Sequence, residues 1–282
     1  VAIVLALFSA LAYGVADFLG GVASRRWDSR LITLGTQSVG LLTAAVAVAA
    51  YPGDGPARTA LAWGAASGLC CAVGILSLYR GFARGSIGVV APVCGVLTAV
   101  IPAAVGIALG DHLGRLELVG IILTIPAVGL VARETAVAGG SSGGFADGVL
   151  AGVGFGLLFV ALSQAGSSHG AWPLLAEQVV AVAIIVPVAI RARNSDEAVG
   201  TRGRPPGQVI LWTVIAGVLS GVANLLYLLA THHGELAIVG VISSLYPAAT
   251  VLMARFWLRE RWNRVQITGM ALAAVAVVLV AV

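Results

Sequence analysis

Long apolar runs, separated by short charged or turn-rich breaks, organise the whole chain. Read between those breaks, they predict ten spans: 2–23, 31–51, 60–82, 86–109, 116–133, 146–165, 172–190, 208–230, 235–258 and 265–282. Each is about 18 residues or longer, the length a helix needs to cross a bilayer. The runs are continuously apolar, whereas barrel strands alternate over about 10 residues. The predicted fold is therefore an all-α integral membrane protein with ten transmembrane helices. The breaks have local causes. Ser24-Arg25-Arg26-Trp27-Asp28 concentrates charge, and Tyr51-Pro52-Gly53-Asp54-Gly55-Pro56 is dense in residues that stop helices. Gly139-Gly140-Ser141-Ser142-Gly143-Gly144 reads as a flexible linker, and 191–207, with Pro205-Pro206, is the longest polar stretch. Arg255 stands near the end of the ninth span, where a long side chain can snorkel.

The Gly-Ser linker lies almost midway, which invites a comparison of the halves. An offset of 149 aligns Trp63 with Trp212, Gly68 with Gly217, Gly85 with Gly234, Arg115 with Arg264 and Gly120 with Gly269, and sets Asp111 on Glu260. At the start of each half the offset is 142, which aligns Tyr13-Gly14 with Phe155-Gly156. A longer 191–207 loop accounts for the difference. The expected domains are a five-helix repeat over 1–133, a linker over 134–145 and a second five-helix repeat over 146–282. Five is odd, so the second repeat should enter the membrane inverted. Inverted repeats recur in secondary transporters, where two pseudo-symmetric halves rock about a midplane site.

Composition agrees. Hydrophobic residues make up 59% of the chain and charged residues 10%, with a mean hydropathy of +1.02. A soluble domain carries roughly a quarter charged residues. All 16 basic residues are arginine, and they stand mostly between apolar runs, where positive charge orients membrane proteins. Nucleic acid is therefore not an expected partner. Cys70, Cys71 and Cys94 fall inside spans, match no metal spacing, and read as packing residues. The first run continues to Arg25-Arg26 without a processing site, so it reads as a span rather than a cleaved signal. The chain opens on Val1, and residues upstream of it are expected.

Each half closes in the same way: a glycine, an apolar helix, a short acidic–basic corner, and another helix with an early glycine. The second half reads Gly234-Glu235, Ser243-Ser244-Leu245-Tyr246-Pro247, Leu258-Arg259-Glu260-Arg261 and Gln266-Ile267-Thr268-Gly269. This order resembles the EamA-type repeat of the drug/metabolite transporter superfamily. Ala12-Tyr13-Gly14 with Asp17-Phe18-Leu19-Gly20-Gly21 is similar to the first helix of its bacterial members. The first half departs from the pattern at Asp111, where the family often has Glu, and at Thr98, where Pro247 falls in the repeat. The resemblance implies ten helices, a cavity lined mainly by helices 1, 3, 4, 6, 8 and 9, and export or uptake of amino acids, other metabolites, drugs or nucleotide sugars. Export by a protein of the bacterial plasma membrane is the direction and location expected.

Ionisable groups at membrane depth are costly and are functional candidates by default. Asp17 and Glu177 are the two such carboxylates, as coupling or cation-contact groups, since burial disfavours a charged carboxyl. The plainer alternatives are pairing of Asp17 with Arg25 or Arg26, and hydration of Glu177 at a helix end. Asp147 and Glu235 stand where helices begin and are expected to cap them. Asp111 and Glu260 are expected to make corners, and His232-His233 to lie in an interfacial loop. Substrate-contact candidates on the implied cavity helices are Tyr13, Ser77, Gln164, Asn224, Tyr227, Ser243 and Tyr246. Each could instead bond a neighbouring helix, for about 1 kcal/mol or less. Asn224 and Tyr227, three apart, share a face. Gly217-Val218-Leu219-Ser220-Gly221 and Gly152-Val153-Gly154-Phe155-Gly156 read as seams of close helix approach, and Pro92, Pro102, Pro126, Pro187 and Pro247 alike as helix interruptions.

No Walker loop, Ser–His–Asp order or paired-His zinc motif is present, so neither enzyme activity nor a cofactor or metal is expected. The expected partners are a small-molecule substrate, membrane lipids and, as coupling ion, protons; the sequence sets no oligomeric state. The alternative to a transporter is a non-transporting receptor or assembly protein. A transporter needs a polar cavity at mid-depth between the halves, whereas a scaffold should have a dry apolar centre.

Overall fold

The computed structural model describes residues 1–84, 87–111, 114–137, 142–194 and 205–258, with eight further helical residues between 264 and 279. Ten helical segments follow in order: α1 Ala2–Arg26, α2 Ser29–Ala50, α3 Arg58–Arg84, α4 Ile87–Leu109, α5 Arg115–Val137, α6 Ser142–Ser163, α7 Trp172–Asn194, α8 Gly207–Thr231, α9 Leu236–Ser243 and α10 Tyr246–Leu258. Among the described residues there is no strand. Helices α1, α2, α3, α6, α7 and α8 are each long and apolar enough to cross a membrane.

The apolar runs and the helices agree to within a few residues, with three differences. The Gly-Ser segment is shorter than its composition suggests, because α5 continues to Val137 and α6 begins at Ser142. The ninth run is two helices, broken at Ser244-Leu245. Proline has no N–H to bond the preceding turn, and Pro247 is placed in the first turn of α10, where that loss costs nothing. The tenth run lies largely outside the described residues.

Inter-half contacts come in exchangeable pairs. Helix α3 packs on α6 and α7, and α8 packs on α1 and α2. Helix α4 lies on α6, and the α9–α10 pair lies on α1. Exchanging every helix for the one five spans along turns each contact into another of the set. The α2–α7 and α4–α9 contacts map onto themselves.

Glycines set these approaches, and the offsets recur in them. A Cβ on Gly14 would stand 2.6 Å from the Tyr246 carbonyl oxygen, and one on Gly156 would stand 3.1 Å from that of Leu97. Gly14 and Gly156 match at 142, and Leu97 and Tyr246 at 149. A Cβ on Gly68 would meet the Glu177 carbonyl oxygen at 2.3 Å, and one on Gly217 that of Thr36 at 2.6 Å. In both pairs an absent side chain lets one backbone touch another. Trp63 and Trp212 have diverged: Trp63 is exposed to 42%, while Trp212 is buried to 4% with the Arg26 guanidinium 4.7 Å above its ring.

Two expected caps are corrected. Asp147 lies a turn inside α6 and instead accepts from Arg80 Nε at 2.8 Å, an ion pair that ties α3 to α6. Glu235 takes the N-cap position of α9 without a side-chain cap bond. The first-turn N–H of Ala237 is satisfied from the other half, by Asp111 Oδ2 at 2.9 Å. The α2–α3 and α6–α7 turns also bond across the halves, Asp54 N to Ser168 O at 2.8 Å and Ala171 N to Tyr51 O at 2.9 Å.

Candidate functional site

A small cavity lies between the halves. Its polar lining is Tyr13 and Asp17 from α1, Gln37 from α2, Ser220 and Asn224 from α8, and Tyr246 from α10. Cys71 and Ile75 of α3 and Phe155, Leu158 and Phe159 of α6 supply the rest. These positions share a depth. Cys71 is the middle residue of Arg58–Arg84, Tyr13 is one residue from the middle of Ala2–Arg26, and Tyr246 sits at the break that divides the ninth span.

Asp17 is 6% exposed and lines the cavity. It follows Tyr13 by four residues, which puts both on one face of α1. The pairing with Arg25 or Arg26 does not form. Eight residues of helix separate Asp17 from Arg25, about 12 Å of rise, and both arginines are engaged elsewhere. Arg25 Nε donates to the Phe82 carbonyl at 3.3 Å, and Arg26 donates to Gln208 Oε1 at 3.2 Å. Among the described residues, Asp17 has neither an ion pair nor a hydrogen-bond partner for its carboxylate.

Glu177 is the opposite case. It is fully buried rather than hydrated at a helix end, because Gly68 lets α3 lie directly on its backbone. Its Oε1 accepts from Asn224 Nδ2 at 2.9 Å and from Gln178 Nε2 at 3.2 Å, and its Oε2 faces the Ser67 hydroxyl at 3.4 Å. The Oδ1 of Asn224 accepts in turn from the Tyr13 hydroxyl. The chain Glu177–Asn224–Tyr13 thus runs from α7 through α8 to the cavity wall on α1.

Aromatic rings line the remaining side. The Tyr13 ring centre is 5.9 Å from that of Phe159 and 6.2 Å from that of Tyr246. Behind them Tyr227 stacks on Phe159 at 4.1 Å and donates to its carbonyl at 3.0 Å, so Tyr227 supports the wall without lining it. The Tyr246 hydroxyl lies 2.9 Å from Cys94 Sγ.

Of the expected contact residues, the cavity gathers Tyr13, Asp17, Asn224 and Tyr246, with Glu177 and Tyr227 one layer behind. Ser77 is buried outside it, Ser243 is buried with a hydroxyl that has no partner among the described residues, and Gln164 is exposed at the end of α6. Gln37 was missed because the implied cavity helices left out the second; it lines the space while donating to Cys71 Sγ at 3.1 Å. The fourth helix, expected to line the cavity, contributes no described lining residue. Phe155 and Phe159 were missed because a phenylalanine in an apolar run carries no signal of its own, although Phe155 is the repeat partner of Tyr13.

Residues 143–282 match the family model of the EamA-like transporter family. A solved structure titled only "Crystal structure of protein" superposes with a TM-score of 0.73 at 15% identity, covering 99% of this chain and 95% of that one. That likeness is one of fold. Among curated proteins, none matches the sequence.

Proposed function

As the chain belongs to the EamA-like transporter family, we propose that this multi-pass membrane protein is a secondary transporter of small metabolites, such as amino acids, related metabolites or drugs. It works in the export direction in a bacterial plasma membrane, by alternating access about the cavity between its halves. In this reading ten spans form two inverted five-helix repeats, which meet between Val137 and Ser142, inside the segment 134–145 expected to link them. The exchangeable contacts and the recurring glycine offsets support the two-fold relation. The observation that carries the function is the mid-depth cavity, lined from both halves and holding a buried carboxylate. A receptor or scaffold gains nothing from a polar space at its centre, since an unpaired polar group there costs free energy.

Asp17 is the coupling candidate, with protons as the coupling ion. The test is flux in reconstituted vesicles: a panel of amino acids, amines and neutral metabolites should include solutes that move saturably and respond to an imposed proton gradient. Asp17→Asn should abolish that response across a pH series. Wild-type rates and pH dependence in the variant would remove Asp17 from coupling, and no saturable flux for any solute would remove the transport reading.

A further inference from the structure

The cavity's charge balance selects its ligand class. Asp17 and Glu177 lie at or directly behind its wall, but among the described residues only Glu177 has its oxygens taken by donors from the protein. No arginine or histidine lines the cavity among the described residues. Arg80 and Arg26 are held by Asp147 and by Gln208 over the Trp212 ring.

A buried carboxylate without a partner is costly in any state where it is charged. An anionic ligand would add a second negative charge to this space, and a neutral one would leave the carboxylate uncompensated. A cation would pair it. The rest of the lining suits the same chemistry, because the rings of Tyr13, Phe159 and Tyr246 cluster around the space, with Tyr13 within 6.2 Å of both others, and aromatic rings attract a desolvated cation. Ile75, Leu158 and Phe155 give the same space an aliphatic and phenyl wall.

We propose that the cavity binds an organic cation, its ammonium group against the Asp17 carboxylate among the Tyr13, Phe159 and Tyr246 rings, and its apolar body on α3 and α6. This assignment rests on the transport reading for its purpose but not for its test. Binding is measured calorimetrically on the purified full chain in detergent with four probes: phenethylammonium, tetraethylammonium, the neutral isostere 2-phenylethanol and the anion 3-phenylpropanoate. At least one cation should bind about tenfold or more tightly than the neutral probe, and the anion should bind more weakly still. Asp17→Asn should bring phenethylammonium and 2-phenylethanol to similar affinity.

Equal or tighter binding of the neutral or anionic probe overturns the proposal, as does absence of cation binding. The wild-type comparison of probes decides this even if the variant does not fold. A cation preference that survives in folded Asp17→Asn overturns the role of Asp17. Saturable vesicle flux of neutral or anionic solutes, with no cation binding, would leave the transport reading standing and this assignment refuted. Cation binding with no flux of any solute would do the reverse.

Discussion

Asn224 donates to Glu177 at 2.9 Å and accepts from Tyr13, so one amide joins a carboxylate on α7 to a phenol on α1. That arrangement makes Glu177 a packing hub whose shape matters more than its charge. Glu177→Gln can keep the acceptor toward Asn224 and Gln178 and turn its new amide toward the Ser67 hydroxyl, which can accept. Glu177→Leu strands two buried donors, at about 1–3 kcal/mol each. Thermal unfolding in detergent should therefore place Glu177→Gln near wild type and Glu177→Leu well below it. A stable Glu177→Gln protein without flux would instead make the charge itself part of transport.

The two glycine seams should respond as a pair. Alanine at Gly68 or Gly217 pushes a methyl against a carbonyl oxygen 2.3 Å or 2.6 Å away, and such overpacking costs about 1–3 kcal/mol. Gly207, where a methyl group would have nothing within 4 Å, serves as the control, and Gly207→Ala should unfold at or slightly above the wild-type temperature. A Gly217→Ala protein as stable as wild type, beside a destabilised Gly68→Ala, would break the two-fold relation at this seam.

What the sequence could convey depended on whether a residue's signal was local. Asp17 stood out because a carboxylate in an apolar run is conspicuous, and its burial follows. Glu177 was equally conspicuous, yet its surroundings are tertiary: Gly68 on another helix decides that it is enclosed rather than hydrated. Asp147 sat where a cap belongs, but its partner, Arg80, is 67 residues away and no periodicity points to it. The break in the ninth span was not singled out by Pro247, because Pro126 and Pro187 read the same way in sequence and lie inside continuous helices. Gln37 was not legible either, because a lone amide in a helix reads equally well as packing or lining until its neighbours are known.

Asp28, in the turn between α1 and α2, gives a pH test. Its Oδ1 accepts from the Arg30 backbone N–H at 2.8 Å, capping α2, and the Arg30 guanidinium returns to it at 3.1 Å. Burial raises its pKa, but the Arg30 hydrogen bonds and charge outweigh that and hold it below the ordinary 3.8. A depressed pKa contributes stability above the unfolded value and loses it as pH falls through the folded one. Wild-type stability should then decline more than that of Asp28→Asn between pH 5 and about pH 2, since asparagine keeps the cap without titrating. Asp28→Ala should cost about 1 kcal/mol at neutral pH. Parallel pH profiles for wild type and Asp28→Asn would show that the ionised form is not favoured by folding.

Orientation sets two arguments against each other. With ten spans, the connections after the first, third, fifth, seventh and ninth share one face, and they carry fourteen of the sixteen arginines; the other face has Arg58 and Arg115. Among the described residues, Arg25 at the end of α1 reaches Phe82 at the end of α3, and Arg26 reaches Gln208 at the start of α8, so these three helix ends lie on one face. Positive charge marks the cytoplasmic side, which puts both termini outside. The family resemblance implies both inside. A fourteen-to-two division favours charge, so the expected outcome is a cytoplasmic 191–207 loop and a C-terminus outside. Alkaline phosphatase and a fluorescent protein, fused in turn to each position, read this directly: phosphatase should be active at the C-terminus and the fluorescent protein bright in the loop. Active phosphatase in the loop would reverse the orientation, and an N-terminal fusion on the opposite side from the C-terminal one would break the count of ten.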